Sequence, residues 1–180
     1  MPATHIALLR GINVGKAKRV SMAELRAMME SLGYREVRTL LNSGNVVFRS
    51  SKANEDAVTR IEQALVKKLQ VSSKVTVLTA SELTTAVDEN PLLKVATDPT
   101  RLLVAVLRDP ADRKKLLPLA KQDWGKESLA VGARVAYLWC PNGILDSPAA
   151  TAVNKVLGDS VTARNWATML KLRALAQETS

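Results

Sequence analysis

The order of its apolar segments constrains this chain more than any other feature. From the N-terminus they run strand, helix, hairpin, helix, strand, and the same order then returns. Ile6 to Leu9 is a short apolar run of strand length. Ser21-Met22-Ala23-Glu24 reads as a capping box, with the Ser21 hydroxyl accepting from the Glu24 amide and the Glu24 carboxylate reaching back to the Ser21 amide. Met22, Leu25, Met29 and Leu32 recur behind it at helical spacing, and Gly33 supplies the stop. Val37 to Leu41 and Val46 to Phe48 flank Asn42-Ser43-Gly44-Asn45, a hairpin whose glycine permits positive φ. A second helix, from about Glu55 to Leu69, buries Val58, Ile61, Leu65 and Leu69, and Val75 to Leu78 follows as a strand. A short helix after Ser81 must end before Asn90-Pro91, because a residue ahead of proline is pushed out of the α region.

The second series starts with a strand at Leu102 to Leu107. Asp109-Pro110 offers an N-cap and a first-turn proline for a helix that Pro118 limits to about two turns. Leu129 to Val131 and Val135 to Cys140 flank a second hairpin at Gly132-Ala133. Ser147-Pro148 opens a helix carrying Ala149, Ala152, Val153, Val156 and Leu157, closed by Gly158. Val161 to Ala163 is a last strand, and a terminal helix starts near Asn165. The proline-bearing stretch Asn90 to Thr100 is the expected boundary, giving a first unit over 1–95 and a second over 96–180 with the C-terminal helix.

Each series is a split βαβ pattern, which predicts an α+β chain of two consecutive βαββαβ units with antiparallel sheets. The topology also places residues. The first strand and the second run parallel across a right-handed crossover. The loop Gly11 to Arg19 and the hairpin turn Asn42 to Asn45 are therefore expected at one end of one sheet.

Charge narrows the partners. Lys and Arg number 26 against 17 Asp and Glu, a formal net charge of +9 over 180 residues. That balance favours an anionic partner, nucleic acid or a small anionic ligand, with solubility as the plainer explanation. The longest uninterrupted apolar run, Leu102 to Leu107, is too short to cross a bilayer, so no membrane role is expected. Met1-Pro2-Ala3-Thr4-His5 carries no basic leader region, and Cys140 is the only cysteine, which together suggest a cytoplasmic, reducing setting.

Gly11-Ile12-Asn13-Val14-Gly15-Lys16 after a strand invites a phosphate-loop reading, but the spacing is one residue short and Ala17 stands where a magnesium-binding hydroxyl belongs. The general physics remains. Glycines permit close backbone approach, and Arg10, Lys16, Lys18 and Arg19 suit an anion; a glycine turn with solvated lysines accounts for the same residues. Tyr137 and Trp139 alternate on one strand face, as base-stacking aromatics do in RNA-recognition modules. Ala136, Leu138 and Cys140 make the other face apolar too, which favours a strand buried on both sides. A single histidine, His5, rules out a two-histidine metal motif, and Cys140 in an apolar strand is expected to be inert. Neither a metal nor a cofactor is expected. In Arg164-Asn165-Trp166, Asn165 suits an N-cap, Trp166 a core anchor and Arg164 an anion contact.

These segments resemble the bacterial domain-of-unknown-function family 1697. The resemblance rests on Leu8-Leu9-Arg10-Gly11-Ile12-Asn13-Val14-Gly15, Met22-Ala23-Glu24-Leu25-Arg26 and Asn42-Ser43-Gly44-Asn45-Val46-Val47-Phe48. It continues through Asn90-Pro91, Pro141-Asn142-Gly143, Arg164-Asn165-Trp166 and Leu170-Lys171-Leu172, nearly the whole chain. It implies a duplicated ferredoxin-like architecture and no established activity. It marks Arg10, Gly11, Asn13, Gly15, Ser43, Gly44, Asn45, Arg164, Asn165 and Trp166 as signature positions. One departure is visible: where the family has a Ser-Lys-Leu-like segment after Pro141-Asn142-Gly143, this chain has Ser147-Pro148-Ala149 and lacks the basic residue.

Three functions compete at this level. One is binding of an anionic ligand, nucleic acid or nucleotide-like, by Arg10, Gly11, Asn13, Gly15, Lys16, Ser43, Gly44 and Asn45, joined by Arg164 and Asn165. A second is an enzyme of unknown reaction in which Arg10, Asn13, Ser43 and Asn45 form a polar pocket, although no general base is evident. A third is a structural or homodimeric interaction protein.

Overall fold

The computed structural model describes residues 1–52 and 54–179. The first series forms β1 (Ala3–Leu9), α1 (Met22–Ser31), β2 (Arg35–Leu40), β3 (Asn45–Ser50), α2 (Asn54–Leu69) and β4 (Val75–Thr79). A helix α3 (Ala80–Asp88) leads on. The second series is β5 (Leu102–Leu107), α4 (Arg113–Ala120), β6 (Ser128–Val131), β7 (Val135–Trp139), α5 (Pro148–Leu157) and β8 (Val161–Asn165), followed by α6 (Trp166–Thr179). The sheets have strand orders β2-β3-β1-β4 and β6-β7-β5-β8, and every pairing is antiparallel. Both units are thus ferredoxin-like, as the element order predicts.

Local chemistry explains most element ends. The Ser21 hydroxyl accepts from the Glu24 amide at 3.0 Å. Among the described residues only that half of the capping box forms; the exposed Glu24 carboxylate stays in water. Asp109 caps a single 3-10 turn, Pro110–Asp112, ahead of α4, and Pro118 is accommodated near the end of that helix. Ser147 caps α5 by accepting from the Ala150 amide at 3.0 Å. The strand expected at Val161 to Ala163 runs two residues further, because Arg164 and Asn165 continue the pairing with Val104 and Leu103.

The chain divides into one unit of Met1–Ser81 with Leu172–Ser180, and another of Glu82–Lys171. This differs from a boundary at 95/96. The reason is non-local bonding. The Tyr137 hydroxyl donates to the Ala86 carbonyl at 2.7 Å and Arg134 pairs with Glu82, so α3 belongs with the second series. Arg38 meets Glu178 at 3.2 Å, which ties the end of α6 to β2.

In the first unit Ala7, Leu9, Val46, Phe48, Val75 and Val77 face α1 and α2, and pack with Leu25, Met29, Ile61 and Leu65. The alternate residues Ile6, Leu8 and Val47 are 0% exposed as well. In the second unit Ala105, Leu107, Ala136 and Leu138 share a cluster with residues of α4 and α5, while Val104, Val106, Val135 and Tyr137 on the other side are also buried. Neither sheet presents an open face, so the strands read as continuous apolar runs instead of alternating ones.

Candidate functional site

The loop after β1 and the β2–β3 turn do share one end of the first sheet. The Leu9 amide donates to the Gly44 carbonyl at 2.9 Å. Next to it the Arg10 amide donates to the Lys74 carbonyl, and the Ser73 hydroxyl donates to the Arg10 carbonyl at 2.8 Å. Gly44 has φ +87, and a Cβ there would lie 2.7 Å from the Leu9 Cβ. Only glycine lets the turn close this tightly on β1.

The loop itself winds through left-handed conformations at Gly11, Asn13, Gly15 and Lys18, with φ of 69, 55, 64 and 50 degrees. Asn13 tolerates that region better than most residues. Its side-chain amide donates to the Val20 carbonyl at 2.8 Å and to the Asn42 carbonyl at 2.7 Å, and its oxygen accepts from the Val20 amide at 2.8 Å. One side chain therefore ties the start of the loop to its end and to the neighbouring hairpin. Asn45 does a similar task inside the turn. It is fully buried and donates to the Leu40 carbonyl at 2.8 Å and the Ser43 hydroxyl at 2.9 Å.

These bonds show how the residues of the expected pocket are held. Arg10, Asn13, Ser43 and Asn45 gather at one sheet end, where Asn13 donates both amide hydrogens to backbone carbonyls and Asn45 donates to the Leu40 carbonyl and the Ser43 hydroxyl. A shallow groove of about 470 Å³ does open there, beside the start of α1. Its lining includes Asn13, Arg19, Ser21, Asn42 and the carboxylate-bearing Glu24, and not Arg10, Ser43 or Asn45. Lys16 and Lys18 stand exposed on the loop outside the groove, and Arg19 is exposed at its edge. Arg19 reaches back to the Asn13 and Gly15 carbonyls, each at 3.3 Å. Among the described residues none of these three cations has an acidic partner. The braced loop is thus a compact projection of unneutralised positive charge.

The remaining candidates make the following contacts. Tyr137 is 2% exposed and Trp139 9%, so the base-stacking face is closed, and burial pushes the Tyr137 phenol up to about 12. Asn165 caps α6 by accepting from the Thr168 amide at 2.9 Å, as expected. Arg164 lies on β8 of the second unit and donates to the Ala163 carbonyl at 2.9 Å; desolvation pulls its guanidinium down to about 10. His5 stacks on Phe48 at 5.6 Å with Nδ1 at 2.9 Å from the Ala3 carbonyl. Cys140 is buried with its thiol pushed up by desolvation and 3.4 Å from the Ser147 hydroxyl. Among the described residues no group of three His, Cys, Asp or Glu is placed to hold a metal ion, and no helix is long and apolar enough to cross a membrane.

Sequence motifs do not mark a second basic cluster at the other end of the same sheet. Arg35 and Arg49 are cross-strand partners there, near Arg60 of α2. The available signal is the hairpin register, which brings the first residue of β2 opposite the end of β3.

A family model described as "Protein of unknown function (DUF1697)" matches residues 3–137. The conserved bacterial protein SP0830 from Streptococcus pneumoniae has a similar solved structure, with a TM-score of 0.75 and 21% sequence identity over 98% of this chain and 99% of that one. At that identity the likeness shows a shared fold alone. Among curated proteins no significant match is found.

Proposed function

The chain belongs to domain-of-unknown-function family 1697, so its role has to be read from its own surface, and we propose that it binds nucleic acid through the basic loop of residues 10–19. The observation that carries this reading is the braced projection of Lys16, Lys18 and Arg19, which have no acidic partners among the described residues. A loop that is fixed before binding loses less entropy when it engages a ligand. Its tip stands clear of the fold, with Val14 73% exposed, which suits an extended phosphate backbone better than an enclosed small molecule. The sheet faces are buried, so bases have no aromatic platform on which to stack. Contacts to phosphates position a protein without reading sequence. The binding is therefore tolerant of sequence and dominated by counterion release.

The test is fluorescence anisotropy with single- and double-stranded oligonucleotides across a salt series. Affinity should fall steeply with salt, by a slope of about 0.7 to 0.9 per phosphate contact on a log–log plot. Replacing Lys16, Lys18 and Arg19 by Gln should weaken binding and flatten the slope. Absence of binding at low salt would leave solubility as the account of the charge.

A further inference from the structure

We propose that the opposite end of the first-unit sheet is a second and independent site, which takes the phosphate group of a small molecule. A cavity of about 430 Å³ lies there, and its lining includes Tyr34, Arg35, Arg49, Lys52 and Arg60 beside neutral residues such as Pro2, Ser50 and Ser51. That volume falls within the roughly 300–1,000 Å³ typical of small-molecule pockets. Four of the ten described lining residues are cationic, and none of the ten is an acid. Among the described residues Arg49 is paired with an acid, Glu36, at 3.5 Å.

The cations are held in different ways. Arg60 lies 5.3 Å over the ring of Tyr34 and donates to the Leu32 carbonyl, with the Tyr34 hydroxyl 3.5 Å from Nη1. Tyr34 in turn packs 4.6 Å from Phe48, so the guanidinium is positioned by the core. Arg49 donates from Nη2 to the Pro2 carbonyl at 3.0 Å, yet its Nε is buried with no hydrogen-bond partner. A buried N–H without an acceptor is costly, so Arg49 carries strain at this end of the sheet. Arg35 and Lys52 are exposed at the rim, and neither has an acidic partner among the described residues. Guanidinium forks match the geometry of phosphate oxygens, and a lysine adds a mobile point charge. Three arginines and a lysine around a partly open cavity fit a multiply charged phosphate or diphosphate group.

The experiment is titration calorimetry on the whole chain at low salt, with inorganic phosphate and pyrophosphate as probes. Pyrophosphate should bind, and more tightly than phosphate. Arg35→Gln with Lys52→Gln changes two exposed side chains that brace nothing, so it should keep the melting temperature while weakening binding by about tenfold or more. Arg49→Gln should abolish it. Lys16→Gln with Lys18→Gln should leave pyrophosphate binding intact while oligonucleotide affinity falls, so the two sites fail separately. The proposal is overturned if wild-type protein binds neither probe, if the Arg35/Lys52 variant binds as the wild type does, or if the Lys16/Lys18 variant is the one that loses pyrophosphate.

Discussion

Asn13 commits both amide hydrogens and its oxygen to main-chain groups, and that decides what its replacement should do. Asn13→Gly removes three bonds without penalising the left-handed backbone, and should lower the unfolding free energy by about 1–3 kcal/mol in urea titrations. Asn13→Ala should cost more, because alanine at φ 55 adds strain of about 1 kcal/mol. Unchanged stability together with lost ligand binding would instead make Asn13 a contact residue. The residue type in this pattern was readable, but its role was not. An asparagine beside glycines suits a ligand and a turn equally well. Only the position of the Asn42 carbonyl, 29 residues away, shows which it serves.

At the scale of elements, strands and helices were legible because each rests on local chemistry: the Ser21 and Ser147 caps, the apolar spacing of α2, and the glycine of the β2–β3 turn. The side to which α3 belongs was not legible, since it depends on a tyrosine many residues distant. The Tyr137 hydroxyl donates to Ala86 from a buried position, and its pKa rises from 10.0 to about 12 through desolvation and the nearby Glu89 charge. The raised folded value means the native state holds the proton longer than the unfolded chain does. The stability from the protonated phenol is therefore complete below pH 10.0 and lost as pH rises towards about 12. Tyr137→Phe gives up the bond to Ala86, costing about 1 kcal/mol at neutral pH. It should then lose less stability than wild type between those pH values in denaturant titrations. Parallel pH profiles would show that Tyr137 does not titrate with unfolding.

For the whole molecule the dominant quantity is the net charge of +9. Exposed pairs such as Arg38–Glu178 and Arg101–Asp98 contribute little, because water screens them and long side chains lose freedom in forming them. Repulsion among the excess cations is spread over many sites and works against the compact state. The loop is one such place, where Lys16 and Lys18 stand near Arg19 with no acid between them. Screening should decide which effect wins, since the Debye length falls from about 30 Å at 0.01 M to about 10 Å at 0.1 M. If repulsion dominates, sodium chloride added over that range should raise the melting temperature. Lys16→Gln with Lys18→Gln should melt above wild type at the low-salt end, with the gap closing as salt is added. Calorimetry across the series checks both. A melting temperature that falls with salt would mean the ion pairs outweigh the repulsion. A double variant that melts below wild type at low salt would mean that the two lysines support the fold, and the exposed loop would then lose its standing as charge held ready for a partner.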